Sequence, residues 1–218
     1  MLQRFLNNKW TKRAVFFLCL GPAAVLVWKG FHDDLTANPI EKITHFTGDW
    51  TIYFLIITLS ITPLRKLVPA LNMIRYRRMI GLYAFFYATL HFSTYLVLDH
   101  FFDFARIVDD IKDRPFVTVG FTGFVLLIPL AVTSTAGMIR RLGGHRWQVL
   151  HRLVYITAVC GVIHYYWLVK SDVRLPLLYG GIFALLFAVR IVFWLRSRQS
   201  KSVRAAARPA AHPASDRA

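Results

Sequence analysis

The feature that most constrains this chain is a succession of six long apolar stretches. They run roughly from Ala14 to Trp28, Trp50 to Leu64, Met79 to Leu98, Phe116 to Met138, Leu153 to Val169 and Leu175 to Leu195. A helix that crosses a bilayer needs about 20 mostly apolar residues. The first two stretches reach that length with flanking residues such as Trp10 and Phe46. The runs are continuous rather than alternating, which excludes a membrane barrel. Lipid offers backbone groups no hydrogen-bond partner, so helices remain. The expected fold class is therefore all-α, an integral membrane bundle of six helices over residues 14–196. The first run resembles a signal peptide, with Lys9, Lys12 and Arg13 ahead of it, but no small-residue cleavage site follows Trp28. It reads as a retained helix.

Charge sets the orientation. One face collects the N-terminal segment 1–13, the loop with Arg65, Lys66, Arg75, Arg77 and Arg78, the loop with Arg140, Arg141, Arg146 and Arg152, and everything from Arg190 onward. It carries 20 basic residues against the single acid Asp216. The other face carries 7 basic residues, Lys170 among them, against ten acids that include Asp33, Asp34, Asp49 and the group Asp99 to Asp113. The excess of Lys and Arg puts the first face and both termini in the cytoplasm. An even number of spans requires the same.

The net charge of +16 beside a hydrophobic fraction of 56% excludes a nucleic-acid module, whose basic residues would stripe a wet face. Cys19 and Cys160 both lie in apolar runs, which excludes a secreted disulfide scaffold. Residues 197–218, rich in Ala, Arg and Pro, read as a disordered basic tail attracted to anionic lipid.

Ionisable residues inside a membrane are costly and mark function. Of 8 histidines, His32, His45, His100, His145 and His212 fall in loops, helix ends or the tail, which leaves His91, His151 and His164. His91 lies 13 residues beyond Arg78 and His164 lies 12 beyond Arg152. At 1.5 Å per residue both sit roughly 20 Å from the basic edge, at matched depth. Two neutral imidazoles so placed can ligate a haem iron from opposite sides. They can equally be buried histidines bonded to carbonyls, and spacing alone does not separate the two. Apart from these histidines the helix interiors read as nearly free of acids and bases, which weakens a proton-relay transporter. Thr133, Ser134 and Thr135 close the fourth span and suit backbone hydrogen bonding.

His151 precedes His164 by 13 residues, which on a straight helix sets the two about 140° apart. At its depth the third span offers Arg77 and Arg78 and no histidine. His151 is thus a candidate ligand of a second haem, a neighbour of a propionate or flavin, or an interfacial residue. Arg77 and Arg78 could pair with propionates or a flavin phosphate.

Several runs then carry a resemblance. They are NPIEKITHFTGDW (Asn38 to Trp50), ITPLR (Ile61 to Arg65), RYRRMIGLYAFFYATLHFSTYLVLD (Arg75 to Asp99), RPFVTVG (Arg114 to Gly120), PLAVTST (Pro129 to Thr135) and LGGHRWQVLHRLVYITAVCGVIHYYWLVK (Leu142 to Lys170). In order, and over about residues 10–195, they resemble the MsrQ (YedZ) family, haem-binding membrane subunits within the ferric-reductase transmembrane superfamily. The resemblance implies a b-type haem, one or two per chain, with His91, His164 and His151 as ligands, and bound FMN. It implies electron transfer across the bacterial inner membrane to MsrP, a periplasmic molybdopterin subunit that reduces methionine sulfoxide in oxidised proteins. Quinol or a cytoplasmic flavin reductase would be the donor. Superfamily members often hold two haems through two histidine pairs, whereas Arg77 stands where the inner partner of His151 would be, which favours the outer pair alone. The competing readings are a haem-free transporter and a membrane anchor for a periplasmic partner.

Overall fold

In the computed structural model, which describes residues 2–71, 73–169 and 171–206, the chain is all helical. Asn8 caps α2 (Lys9–Phe31), and Asn38 caps α3 (Pro39–Leu67) by accepting from Glu41 N–H. α1 (Leu2–Asn7) precedes them. α4 (Ile74–Ser93) widens into a π-helical end, Thr94–Asp99, that begins three residues after His91. Asp103 caps α5 (Phe104–Asp113), and Pro115 opens α6 (Pro115–Val132) at a position that needs no N–H. Thr135 caps α7 (Ala136–Leu142), which is followed by α8 (Gly144–Leu150), α9 (Leu153–Leu168) and α10 (Arg174–Ala206).

Among the described residues, five helical segments are long and apolar enough to cross a membrane: Lys9–Phe31, Ile74–Asp99, Pro115–Val132, Gly144–Leu168 and Arg174–Ser200. α3, the second span of the sequence reading, has 29 residues but carries Glu41, Lys42 and Asp49 in its first half and Pro63, Arg65 and Lys66 near its end. The outward surfaces are apolar, with Leu18, Phe17 and Leu185 more than 60% exposed. Such a surface suits lipid rather than water.

Two boundaries differ from the sequence reading. The fourth span does not run to Met138: Thr133 and Ser134 bond back to the carbonyls of Pro129 and Leu130, the helix stops, and α7 starts afresh. The tail expected to be disordered from Ser197 is helical to Ala206 as the end of α10. Lys170 and residues 207–218 lie outside the described residues.

Two helix pairs, α3 with α4 and α6 with α9, make the closest packing and meet where α4 touches α6. α2 is tied to α4 by tyrosine hydroxyls. Tyr83 donates to Phe16 O (2.8 Å), and Tyr87 donates to Cys19 O (2.9 Å) while accepting from Ala23 N–H (3.0 Å). The Tyr87 hydroxyl therefore sits inside the α2 hydrogen-bond ladder beside Pro22, where the ladder is already broken.

Arg190 corrects the charge map. Its charge counts with the cytoplasmic face in the sequence, yet Arg190 lies inside the sixth apolar run, within α10, packed between α3 and α9. Its guanidinium donates to Leu59 O and to the Tyr155 hydroxyl (3.1 Å). Leu59 is four residues before Pro63, which has no N–H to give back along the helix. Arg190 thus satisfies the carbonyl that Pro63 orphans.

Candidate haem site

His91 projects from α4 and His164 from α9, so each sits on one of the two tight helix pairs. Their ring centres are 6.0 Å apart, with planes at 81°. Each ring is held by its pair partner. His91 Nδ1 bonds Thr44 O on α3 (2.9 Å), and His164 Nδ1 bonds Phe116 O on α6 (2.7 Å). A backbone carbonyl can only accept, so both Nδ1 atoms carry the proton and both Nε2 atoms present lone pairs. The carbonyl-bonded and ligating arrangements that spacing left open are therefore compatible. A histidine that donates one nitrogen to a carbonyl is oriented to ligate through the other.

Two glycines that the sequence reading quoted but gave no role make this possible. Gly48 is four residues after Thr44, and Gly120 is four after Phe116. A Cβ on Gly48 would lie 3.3 Å from His91 Nδ1 and Cε1. One on Gly120 would lie 2.5 Å from His164 Nδ1 and 2.9 Å from its Cε1. Each glycine leaves a notch in its helix through which an imidazole reaches the carbonyl one turn back. The usable signal is the repeated spacing, a residue whose carbonyl accepts from the imidazole and then Gly four positions on, in both THFTG and FVTVG.

The histidines line a cavity of about 560 Å³ between the two pairs. Its body is apolar, with Ile52, Leu55, Ala88, Phe92 and Phe124, and its far end is polar, with His45, Asp49, Tyr95, Asp99, His100 and Arg114. Sites for organic cofactors have this size and this mixture. Metal–imidazole bonds of about 2.0–2.1 Å on either side of one ion bring two ring centres to roughly this separation. The residues present fit a bis-imidazole haem.

His151, Arg77 and Arg78 are elsewhere. They line a second cavity of about 220 Å³ with Trp147 and Ser134. His151 stacks on Trp147 with centres 3.8 Å apart. Its Nδ1 bonds Trp147 O (3.0 Å), and its Nε2 lies 3.4 Å from the Ser134 hydroxyl. Arg77 donates to the Thr62 hydroxyl (3.3 Å). His151 and His164 do not share one straight helix, because the chain breaks at His151–Arg152, between α8 and α9.

Comparison with known proteins agrees with this architecture. Residues 47–162 match the family described as ferric reductase like transmembrane component. The chain is 54% identical over 193 residues to the protein-methionine-sulfoxide reductase heme-binding subunit MsrQ of Herminiimonas arsenicoxydans, covering 88% of each chain. It is 52% identical over 190 residues to the MsrQ of Rhodospirillum rubrum, covering 86% of this chain and 90% of that one. To the MsrQ of Caulobacter vibrioides it is 45% identical, covering 81% and 84%. No solved structure matches. A helical membrane chain with two carbonyl-oriented histidines across a cofactor-sized cavity, alike to these relatives over most of its length, belongs to the MsrQ family of haem-binding subunits.

Proposed function

We propose that this chain binds one b-type haem between His91 and His164 and carries electrons across the bacterial inner membrane to a periplasmic MsrP-like methionine sulfoxide reductase. In this reading all six long helices cross the bilayer, α3 included, with both termini cytoplasmic. The Asp-rich segment at α5 then lies on the periplasmic side. The observation that carries the reading is the pair of rings 6.0 Å apart, each with Nδ1 held by a carbonyl.

A bound haem supplies a one-electron ferric/ferrous couple. The chain's own residues do the rest. Thr44 O and Phe116 O fix the tautomer and direction of the two imidazoles. Phe92, Phe124 and Leu55 exclude water from the space between them. Reducing a sulfoxide to a sulfide and water takes two electrons and two protons, so a one-electron carrier turns over twice per repair. Electrons enter at the smaller cavity, where His151, Arg77 and Arg78 can meet a quinol headgroup or the flavin of a cytoplasmic reductase. His151 is read there as an entry residue and not as a second haem ligand, because both its nitrogens have protein partners and the cavity is less than half the size of the other.

The test is haem per polypeptide by pyridine haemochrome in the wild type and in His91→Ala, His164→Ala and His151→Ala. One haem in the wild type, loss in the first two variants and retention in the third is the expected pattern. A purified wild type with no Soret band would instead support a haem-free transporter or anchor.

A further inference from the structure

The large cavity is asymmetric in charge, and a porphyrin is asymmetric in the same way, with one apolar and one dicarboxylate edge. Among the described residues that line the cavity, Arg114 is the one permanent cation. It stands at the start of α6, whose first turn contributes Phe116 and Val117 to the lining, so the positive end of an 18-residue helix points to the same place. Asp110 holds the corner: its carboxylate lies 3.4 Å from Arg114 Nε and 3.2 Å from His100 Nε2, and accepts from the Tyr95 hydroxyl at 3.3 Å. Asp110 is mostly buried behind these groups, while the Arg114 side chain is 58% exposed and has guanidinium donors to spare. Asp49 and Asp99 line the same polar end, which makes Arg114 the feature that renders it habitable for further anions. The opposite end, at Leu55, Gly123 and Gly161, offers no charge, and Arg77 and Arg78 belong to the other cavity.

We propose that Arg114, steadied together with His100 by Asp110, anchors the carboxylate edge of the porphyrin at the end of the cavity nearest α5. This rests on the reading that His91 and His164 bind haem, and it adds the macrocycle's orientation and a binding residue that the ligands alone do not fix. A charge-assisted bond from guanidinium to carboxylate is the strong kind, and only an ionised porphyrin edge can form it.

The experiment compares protohaem with its dimethyl ester in the purified full-length protein, reading haem loss to excess apomyoglobin. Arg114→Gln should speed protohaem loss by about ten- to a hundredfold, the worth of a hydrogen bond between charged groups, while leaving the loss of the ester and the low-spin spectrum unchanged. Equal acceleration for both porphyrins, or none for either, overturns the proposal. So does the same discrimination appearing in Arg77→Gln, since the carboxylates would then face the smaller cavity. Should Arg114→Gln not accumulate, the wild type decides: ester lost no faster than protohaem refutes the anchor. A wild type that binds neither porphyrin refutes the haem reading itself.

Discussion

Replacing Gly120 with alanine should do more damage than a methyl group on an apolar helix ordinarily does. The added Cβ would stand 2.5 Å from His164 Nδ1, 2.9 Å from Cε1 and 3.0 Å from Cγ. Ordinary carbon contacts lie at about 3.5–4.0 Å, so the ring must retreat by roughly 1 Å or the helices must part. Parting is resisted one turn along, where a Cβ on Gly123 would already be 3.2 Å from the Cys160 Cβ. If the ring moves, its 2.7 Å bond to Phe116 O goes with it, and Nε2 loses both tautomer and aim. Overpacking costs about 1–3 kcal/mol, and the lost bond about 1 kcal/mol more. Against this, alanine favours the helix by about 0.8–1.0 kcal/mol. Global stability should therefore fall by only about 1–3 kcal/mol, whereas a ligand displaced beyond about 0.5 Å should lose its iron bond. The assay is haem per polypeptide beside a thermal melt in detergent. Gly48→Ala, with its milder 3.3 Å approach to His91, should fall in between, and Gly181→Ala, which has nothing within 4 Å, should match the wild type. Full haem content with an unchanged low-spin spectrum in Gly120→Ala would refute the notch as the device that positions His164.

Arg190→Leu should cost about 1–3 kcal/mol by stranding Leu59 O, and a double-mutant cycle should show less loss in a Pro63→Ala background, where the helix supplies its own N–H. Additive losses would show that the guanidinium does not serve that carbonyl. His151→Ala should keep its haem while slowing reduction by quinol or flavin donor; haem content falling by half would restore a second haem at the smaller cavity. A cysteine at position 109, an exposed site on α5, should react with an impermeant thiol reagent in intact spheroplasts, and one at position 141 should not. The reverse pattern would invert the topology.

The long helices were legible because length and apolarity are properties of the sequence itself. His91 and His164 stood out because no other acid or base lies in the interior of their own two apolar runs. Other parts were hidden for physical reasons. α7 and α8 are seven residues each, too short to show a period, and the break between them is fixed by Gly143 at a positive φ of 76°. The role of Arg190 was hidden because charge counted along the chain groups it with Arg196, while its partners Leu59 and Tyr155 are distant in sequence. Arg114 and His100 read as loop charges, and only folding brings them to one cavity with His91 and His164. The glycine notches were visible as residues but not as a function, because a glycine's role here depends on which ring faces it.

The most direct test of the central claim is the low-temperature electron paramagnetic resonance spectrum of the oxidised protein, taken with His91→Ala and His164→Ala. Two imidazole ligands on one iron predict a low-spin bis-histidine signal in the wild type and its disappearance in each variant, with high-spin iron or no iron in its place. A wild-type signal that survives either substitution would contradict the assignment of that histidine and, with it, the site described here.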